Sequence, residues 1–291
     1  MNDILVIHFF RNSTLDKIDF NKVLDFFDAI PGFQIYYSDT DVEIEYKDKE
    51  FDFSYRYLIT KKSRVTNIYK LDPMYSNVNF LLEIPLMIPT CLAKEAFAIT
   101  QRLCKMFELG YYQDSFDDVC PFNIVDLLVF FEKQRSMYID EFGMGEKIRY
   151  NNDKLNVICK FQRSVDSLVD YYHNEITVNL CYPVVDKNTG ESGICYDWRM
   201  GTPTIFAPYV DYINILDVEE GTIVIEKEKL FNIISRYLLE IKNFLPDMYI
   251  IKDKQAKKVR KELKKIKKEM LLGKDFKVLT LSDVIEDSNG K

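Results

Sequence analysis

Asp41-Val42-Glu43-Ile44-Glu45-Tyr46-Lys47-Asp48-Lys49-Glu50-Phe51-Asp52-Phe53-Ser54-Tyr55-Arg56-Tyr57-Leu58 decides the fold class. Apolar and polar residues alternate through Asp41–Tyr46 and again through Phe51–Leu58. A period of two marks strands with one covered face, and the polar Lys47–Glu50 between them makes the pair a hairpin. An antiparallel sheet is therefore expected in the first half of the chain.

Working outward, Ile4–Phe10 is short, apolar and rich in β-branched residues, as a buried strand is. Thr14–Ala29 follows with helical spacing, placing Phe20, Val23, Leu24 and Phe27 on one face, and Pro31-Gly32 ends it. Phe33–Tyr37 and Asn77–Leu86 are further strands. Thr90–Leu109 carries Leu92, Ala96, Ile99, Leu103 and Met106 as one stripe, with Gly110 in the C-terminal capping place.

The second half mixes the same elements. Asn123 can cap a helix running to Glu141, with Asp126 in its first turn. Leu155, Val157, Cys159 and Phe161 alternate like a strand, and Ser164–Tyr172 suits a short helix. Ile176–Tyr182 and Ile194–Trp198 flank the polar turn Asp186–Gly193. Tyr209–Leu216, Thr222–Ile225 and Met248–Ile251 are strands. Lys227–Asn243 has the strongest helical periodicity, stopped by Pro246. A last helix is expected over Asp253–Leu272, then a docked Phe276–Leu279 and a fraying polar tail from Ser282. The sum is an α+β fold, with antiparallel sheet in both halves, helices packed on the sheets and a C-terminal basic amphipathic helix. The expected division is an N-terminal domain over 1–118 and a C-terminal domain over 119–291, or one continuous domain.

Charge is unevenly distributed. Lys252–Met270 holds ten Lys/Arg and three Asp/Glu, against a whole-chain net of −7. Ala256, Val259, Leu263, Ile266 and Met270 form an apolar stripe through it. Three readings stand: docking on the chain's own acidic body, a partner helix, or contact with nucleic acid or a membrane. The stripe lacks interleaved aromatics and the rest of the chain would repel phosphate, so nucleic acid is disfavoured. Val259, Leu263 and Ile266 are expected to face the protein, with Lys257, Lys261, Lys264 and Lys268 solvated.

Composition is that of a globular protein: 47% hydrophobic, 29% charged, 40 Tyr and Phe, one Trp, ten Gly and nine Pro in 291 residues. No stretch approaches the roughly 20 apolar residues of a membrane helix. The N-terminus has an early acid and no basic leader pattern, so the expected location is cytoplasmic. The six cysteines include no C-x-x-C pair, which favours free thiols over disulfides or zinc.

Motifs for chemistry are sparse. Asp39, Asp41, Glu43 and Glu45 fall on one strand face, and Glu45-Tyr46-Lys47 matches half of a metal-dependent nuclease pattern. A solvent-facing strand explains the same spacing. Asp114, Asp117 and Asp118 suit either a magnesium site or an acidic turn. His8 and His173 have no nucleophile signature beside them, and Gly-rich phosphate loops are missing. Neither a cofactor nor a metal is expected. Tyr196-Asp197-Trp198-Arg199 collects the residue types of binding hot spots. The alternative is a core Trp198 with Arg199 paired to Asp197 or a neighbour.

The function expected is non-catalytic: a cytosolic protein-binding or regulatory module that neutralises a basic protein partner, in the manner of an immunity protein. Tyr196, Asp197, Trp198 and Arg199 are its candidate binding residues. Two alternatives remain, a metal-dependent hydrolase or nuclease using the acidic clusters, and a nucleic-acid-associated protein acting through the basic helix. The partner and the oligomeric state are not written in the sequence.

Overall fold

The hairpin forms as its alternation requires. In the computed structural model, which describes residues 3–173, 175–217, 221–263 and 276–286, Asp41 pairs with Thr60 and Asp48 with Phe53 in unbroken register. The turn lies two residues later than expected, because the Asp48 carboxylate accepts from the Glu50 and Phe51 amides at 2.9 and 3.0 Å. Phe51 is thereby turned into the core.

Two compact units make up the chain, Met1–Ile148 and Arg149–Lys291. The dividing line expected at 118/119 runs inside the first. That unit contains β1 (Ile4–Asn12), α1 (Phe20–Asp28), β2 (Phe33–Tyr37), β3 (Asp41–Asp48), β4 (Phe53–Thr60) and β5 (Tyr75–Pro85). It continues with α2 (Thr90–Phe107), β6 (Leu109–Tyr112), β7 (Cys120–Pro121) and α3 (Ile124–Phe142). All seven strands pair antiparallel in the order β2-β3-β4-β5-β1-β6-β7.

One sheet face is aromatic and covered by helices. Phe27 of α1 lies 4.6 Å from Tyr57 between ring centroids, and the buried Tyr57 hydroxyl meets Thr100 of α2 at 2.8 Å. α3 closes on α2 through Phe131 against Phe97, and Arg135 donates to the Ile88 carbonyl at 3.0 Å. β1 serves the other face as well. Side chains alternate along it, so Phe10 points away from Phe9 and joins a second cluster with Val65, Leu71, Tyr112 and Val119.

Two expectations change in this unit. The first helix begins at Phe20 rather than Thr14, with Asp19 as N-cap, since Asn12 holds Thr14 in a turn through its side chain. α2 ends on Glu108 in the left-handed conformation (φ 53°), not on Gly110. Gly110 sits in β6, where a Cβ would come within 2.9 Å of Val119 and 3.1 Å of the Cys120 carbonyl oxygen. Its bareness lets β7 approach.

The second unit holds β8 (Ile148–Tyr150, at the boundary), α4 (Asn152–Tyr171), β9 (Cys181–Asp186), β10 (Ser192–Arg199), β11 (Thr204–Phe206), β12 (Tyr212–Asp217) and β13 (Gly221–Glu226). Then come α5 (Lys227–Ile234), β14 (Leu239–Glu240), β15 (Tyr249–Ile251), α6 (Asp253–Leu263), β16 (Phe276–Val278) and β17 (Val284–Glu286). The main sheet runs β13-β12-β10-β9-β16, antiparallel except for β10 beside β12.

Here helical periods overrode local alternation. Leu155–Phe161 is not a strand. With Leu168 it belongs to α4, which buries Leu155, Ile158, Cys159 and Phe161 and is capped by Asn151. Conversely the helix expected to reach Asn243 stops at Ile234, tightens into a 3₁₀ turn over Ser235–Tyr237, and extends at Leu238. α6 buries Ala256, Val259 and Leu263 and exposes Lys257 and Lys261. The remainder of the expected basic helix, with Ile266, Lys264 and Lys268, lies outside the described residues. The polar tail is ordered further than expected: Thr280 and Asp283 form a capping box, and Val284 and Ile285 are fully buried.

Candidate functional site

The residues singled out in β10 do not share a surface. Tyr196 and Trp198 alternate onto the covered face and are fully buried. The Tyr196 hydroxyl meets Thr204 at 2.8 Å, and the Trp198 indole donates to the Thr202 carbonyl at 3.1 Å. Asp197 faces the other way and accepts from Tyr182 and Asn214 at 2.7 and 2.8 Å. Arg199 is exposed at the strand end. The four combine a core anchor with a polar ladder.

The acidic strand face is occupied by arginines. Arg56 bridges Glu43 at 3.1 Å and Glu83 at 2.7 Å, while Arg64 reaches Asp41 and Glu83 at 3.4 Å. The second acidic cluster is a turn: Asp118 accepts from the Asp72 and Val119 amides, and Asp114 from the Thr66 hydroxyl. Among the described residues, no group of three or more His, Cys, Asp or Glu side chains is placed to hold a metal. His8 is buried in β1, and burial is the main cause that lowers its pKa.

Two concavities bring distant residues together. In the second unit, Lys154 bonds Asp211 at 2.8 Å, Lys227 pairs with Asp247, and Asp247 also accepts from the Tyr209 amide. Tyr209 and Asp247 both have left-handed backbones, φ 49° and 58°. Asp211 also takes the Ile194 amide at 2.7 Å. These pairs pin the Tyr209–Asp211 turn between β11 and β12, which accounts for their geometry.

In the first unit, an open groove of about 880 Å³ lies between β6, β7 and α3. Its walls are aromatic. Tyr111 contacts Phe116 and Phe122 at 5.5 and 5.4 Å, and Phe116 contacts Phe130 at 4.9 Å. The Asn123 side chain caps α3 and fixes where that helix starts. Val129 lines the groove at 63% exposure, and Val125 stands one turn earlier at 62%. A second cavity of about 330 Å³ shares Gln101, Pro121 and Phe122 with it.

Asp126 and Lys133 are the charged residues lining the groove, and Asp117 and Asp118 act on Cys120 beside them. Burial raises the Cys120 thiol, and Asp118, Asp126 and Asp117 add to the shift. Burial likewise pushes Tyr111 up to about 12, reinforced by Cys120 and Asp126. Met1–Ile148 as a whole carries 16 Lys/Arg against 24 Asp/Glu. Sequence reading missed this site because its walls come from a strand, a loop and a helix that only the fold adjoins. The Tyr111-Tyr112 doublet and the neighbouring acids were its visible traces.

Cys104, Cys120, Cys181 and Cys195 are free thiols, whereas Cys91 and Cys159 are disulfide-bonded, which corrects the expectation of free thiols throughout. Among the described residues no helix is long and apolar enough to cross a membrane. The chain matches no protein-family model, no curated protein and no solved structure.

Proposed function

We propose that the protein is a non-catalytic binding module whose acidic first unit captures and neutralises a basic protein partner. The observation that carries this reading is the aromatic groove with exposed Val125 and Val129 beside it and Asp117, Asp118 and Asp126 around Cys120. Aromatic walls give an anchor residue a large contact area, and surrounding carboxylates steer a cation-bearing segment toward it. An immunity protein binding a basic toxin would use such a surface. The reading includes a cytoplasmic setting.

The hydrolase reading draws less support, because Glu43 and Asp41 are engaged by Arg56 and Arg64. The nucleic-acid reading rests on the basic helix, where six of the ten Lys/Arg lie in the described stretch ending at Leu263 and four lie outside the described residues.

Copurification from native cytosol at low salt tests the proposal. A basic protein should be retained, should then bind the purified chain directly, and should be lost from Val129→Arg and Asp126→Lys variants that still fold. Equal retention by both variants, or no retained basic protein, overturns it.

A further inference from the structure

β2 forms one edge of the seven-stranded sheet. Its pairing with β3 fixes which backbone groups remain open. Lys47 donates to the Gly32 carbonyl at 3.1 Å, and Ser38 donates to the Asp41 carbonyl at 3.0 Å. These two pairs bracket β2 in a register where Phe33 opposes Tyr46 and Tyr37 opposes Val42. Hydrogen-bonded pairs alternate along an antiparallel ladder. Gln34 and Tyr36 therefore turn their backbone groups toward β3, while Phe33, Ile35 and Tyr37 turn theirs outward. The Phe33 amide is taken at long range by the Ile30 carbonyl, 3.5 Å away. The Phe33 carbonyl and both backbone groups of Ile35 and Tyr37 face the open edge.

Protein edges are normally blunted by a charge, a proline, a bulge or a covering segment. Among the described residues β2 has none of these. Its sequence Phe33-Gln34-Ile35-Tyr36-Tyr37 is uncharged, and no charged residue occurs from Ala29 to Ser38. Its register is unbroken, and Tyr36 and Tyr37 are 48% and 71% exposed.

We infer that β2 is a self-pairing edge through which two copies of this chain join their seven-stranded sheets. Antiparallel pairing centred on Ile35 is self-complementary. Ile35 meets Ile35 of the second copy, Phe33 meets Tyr37, and Gln34 meets Tyr36. Every outward-facing residue then opposes an outward-facing one. The Gln34–Tyr36 pairing repeats a contact already made within the chain, where the Tyr36 hydroxyl donates to the Gln34 amide oxygen. An uncharged strand suits a copy of itself, with no like charges opposed in the ladder. The surrounding unit is acidic, so the two copies repel at longer range and added salt should strengthen the pairing. That salt response is opposite to the one expected for a basic partner in the groove. A five-residue ladder is smaller than a standard interface, so the association is weak.

Sedimentation equilibrium of the full chain tests this, over loadings from about 1 μM to about 1 mM, a range that captures weak interfaces. The expected result is a dimer that grows with concentration and with salt. Tyr37→Pro removes an outward N–H and leaves the bonds of Gln34 and Tyr36 to β3 intact, so it should stay monomeric with an unchanged melting temperature. Tyr37→Lys, which keeps the backbone, should also be monomeric. A wild-type chain that stays monomeric throughout overturns the inference. So does a dimer that survives both Tyr37 variants, or one that is lost only in Val129→Arg.

Discussion

Trp198 and Phe206 meet edge to face, with ring centroids 5.4 Å apart and planes at 74°. Both are fully buried, and Phe206 passes the contact on to Phe231 at 5.2 Å. The ring stack ties β10, β11 and α5 together. Trp198→Ala should therefore destabilise the second unit by about 3–5 kcal/mol, the range for emptying a large aromatic site. Trp198→Phe should cost less. Chemical denaturation followed by circular dichroism measures both, and an unchanged midpoint for the alanine variant would contradict this role.

The Tyr57–Thr100 hydroxyl pair joins the sheet to α2. Tyr57→Phe leaves Thr100 its bond to the Ala96 carbonyl at 2.9 Å, so no buried donor is stranded. The expected loss is only about 1 kcal/mol. Thr100→Val removes both bonds and should cost at least as much, read from paired urea titrations.

His8 links the stability of the first unit to pH. Burial lowers its pKa below the ordinary 6.5, with Arg64 acting in the same direction and Asp114 and Glu83 opposing. The folded chain therefore binds a proton less readily than the unfolded chain. This term is absent well above the unfolded pKa, and it destabilises as pH falls below about 6.5 toward the lower folded value. Wild type minus His8→Gln should show a stability difference that shifts against wild type between about pH 7 and 5. A flat difference across that window would remove His8 as the cause.

Glu43 and Asp41 are bound to arginines, and displacing those arginines opposes metal entry. Calorimetric titration with magnesium or manganese should give no saturable heat. A sub-millimolar site abolished by Asp41→Ala or Glu43→Ala would reverse this assignment.

Thiol titration of denatured, unreduced protein alkylated at lysis should find four reactive cysteines, matching Cys104, Cys120, Cys181 and Cys195. Six would show that Cys91 and Cys159 are reduced in the cell and would favour a reducing compartment.

What was legible in the sequence follows from the range of the forces involved. The hairpin, Ile4–Phe10 and Thr90–Leu109 were visible because one face of each is buried, and that leaves a periodic imprint. α4 was misread because Leu155, Val157, Cys159 and Phe161 satisfy a period of two by chance, while Ile158 was the residue that betrayed a helix. α5 was overextended because Ile241 is buried for a reason unrelated to helix, in the chain that pairs with β15. The groove left only the Tyr111-Tyr112 doublet and its neighbouring acids as a trace, since Tyr111, Phe116, Phe122 and Phe130 meet only after β6, β7 and α3 are in place. The open edge of β2 was equally silent: an outward N–H depends on which neighbour the strand lacks.

The order in which the strands appear along the chain has a consequence for synthesis. β7, the last strand of the first sheet, ends at Pro121, so that sheet has all its strands early in translation. β9 must instead wait for β16, and 89 residues separate Asp186 from Phe276. At the usual pace of elongation, that leaves one side of β9 uncovered on the ribosome for on the order of ten seconds. During that interval nascent chains translated from one message stand close together, and the uncovered side of β9 is open to pairing with the wrong neighbour.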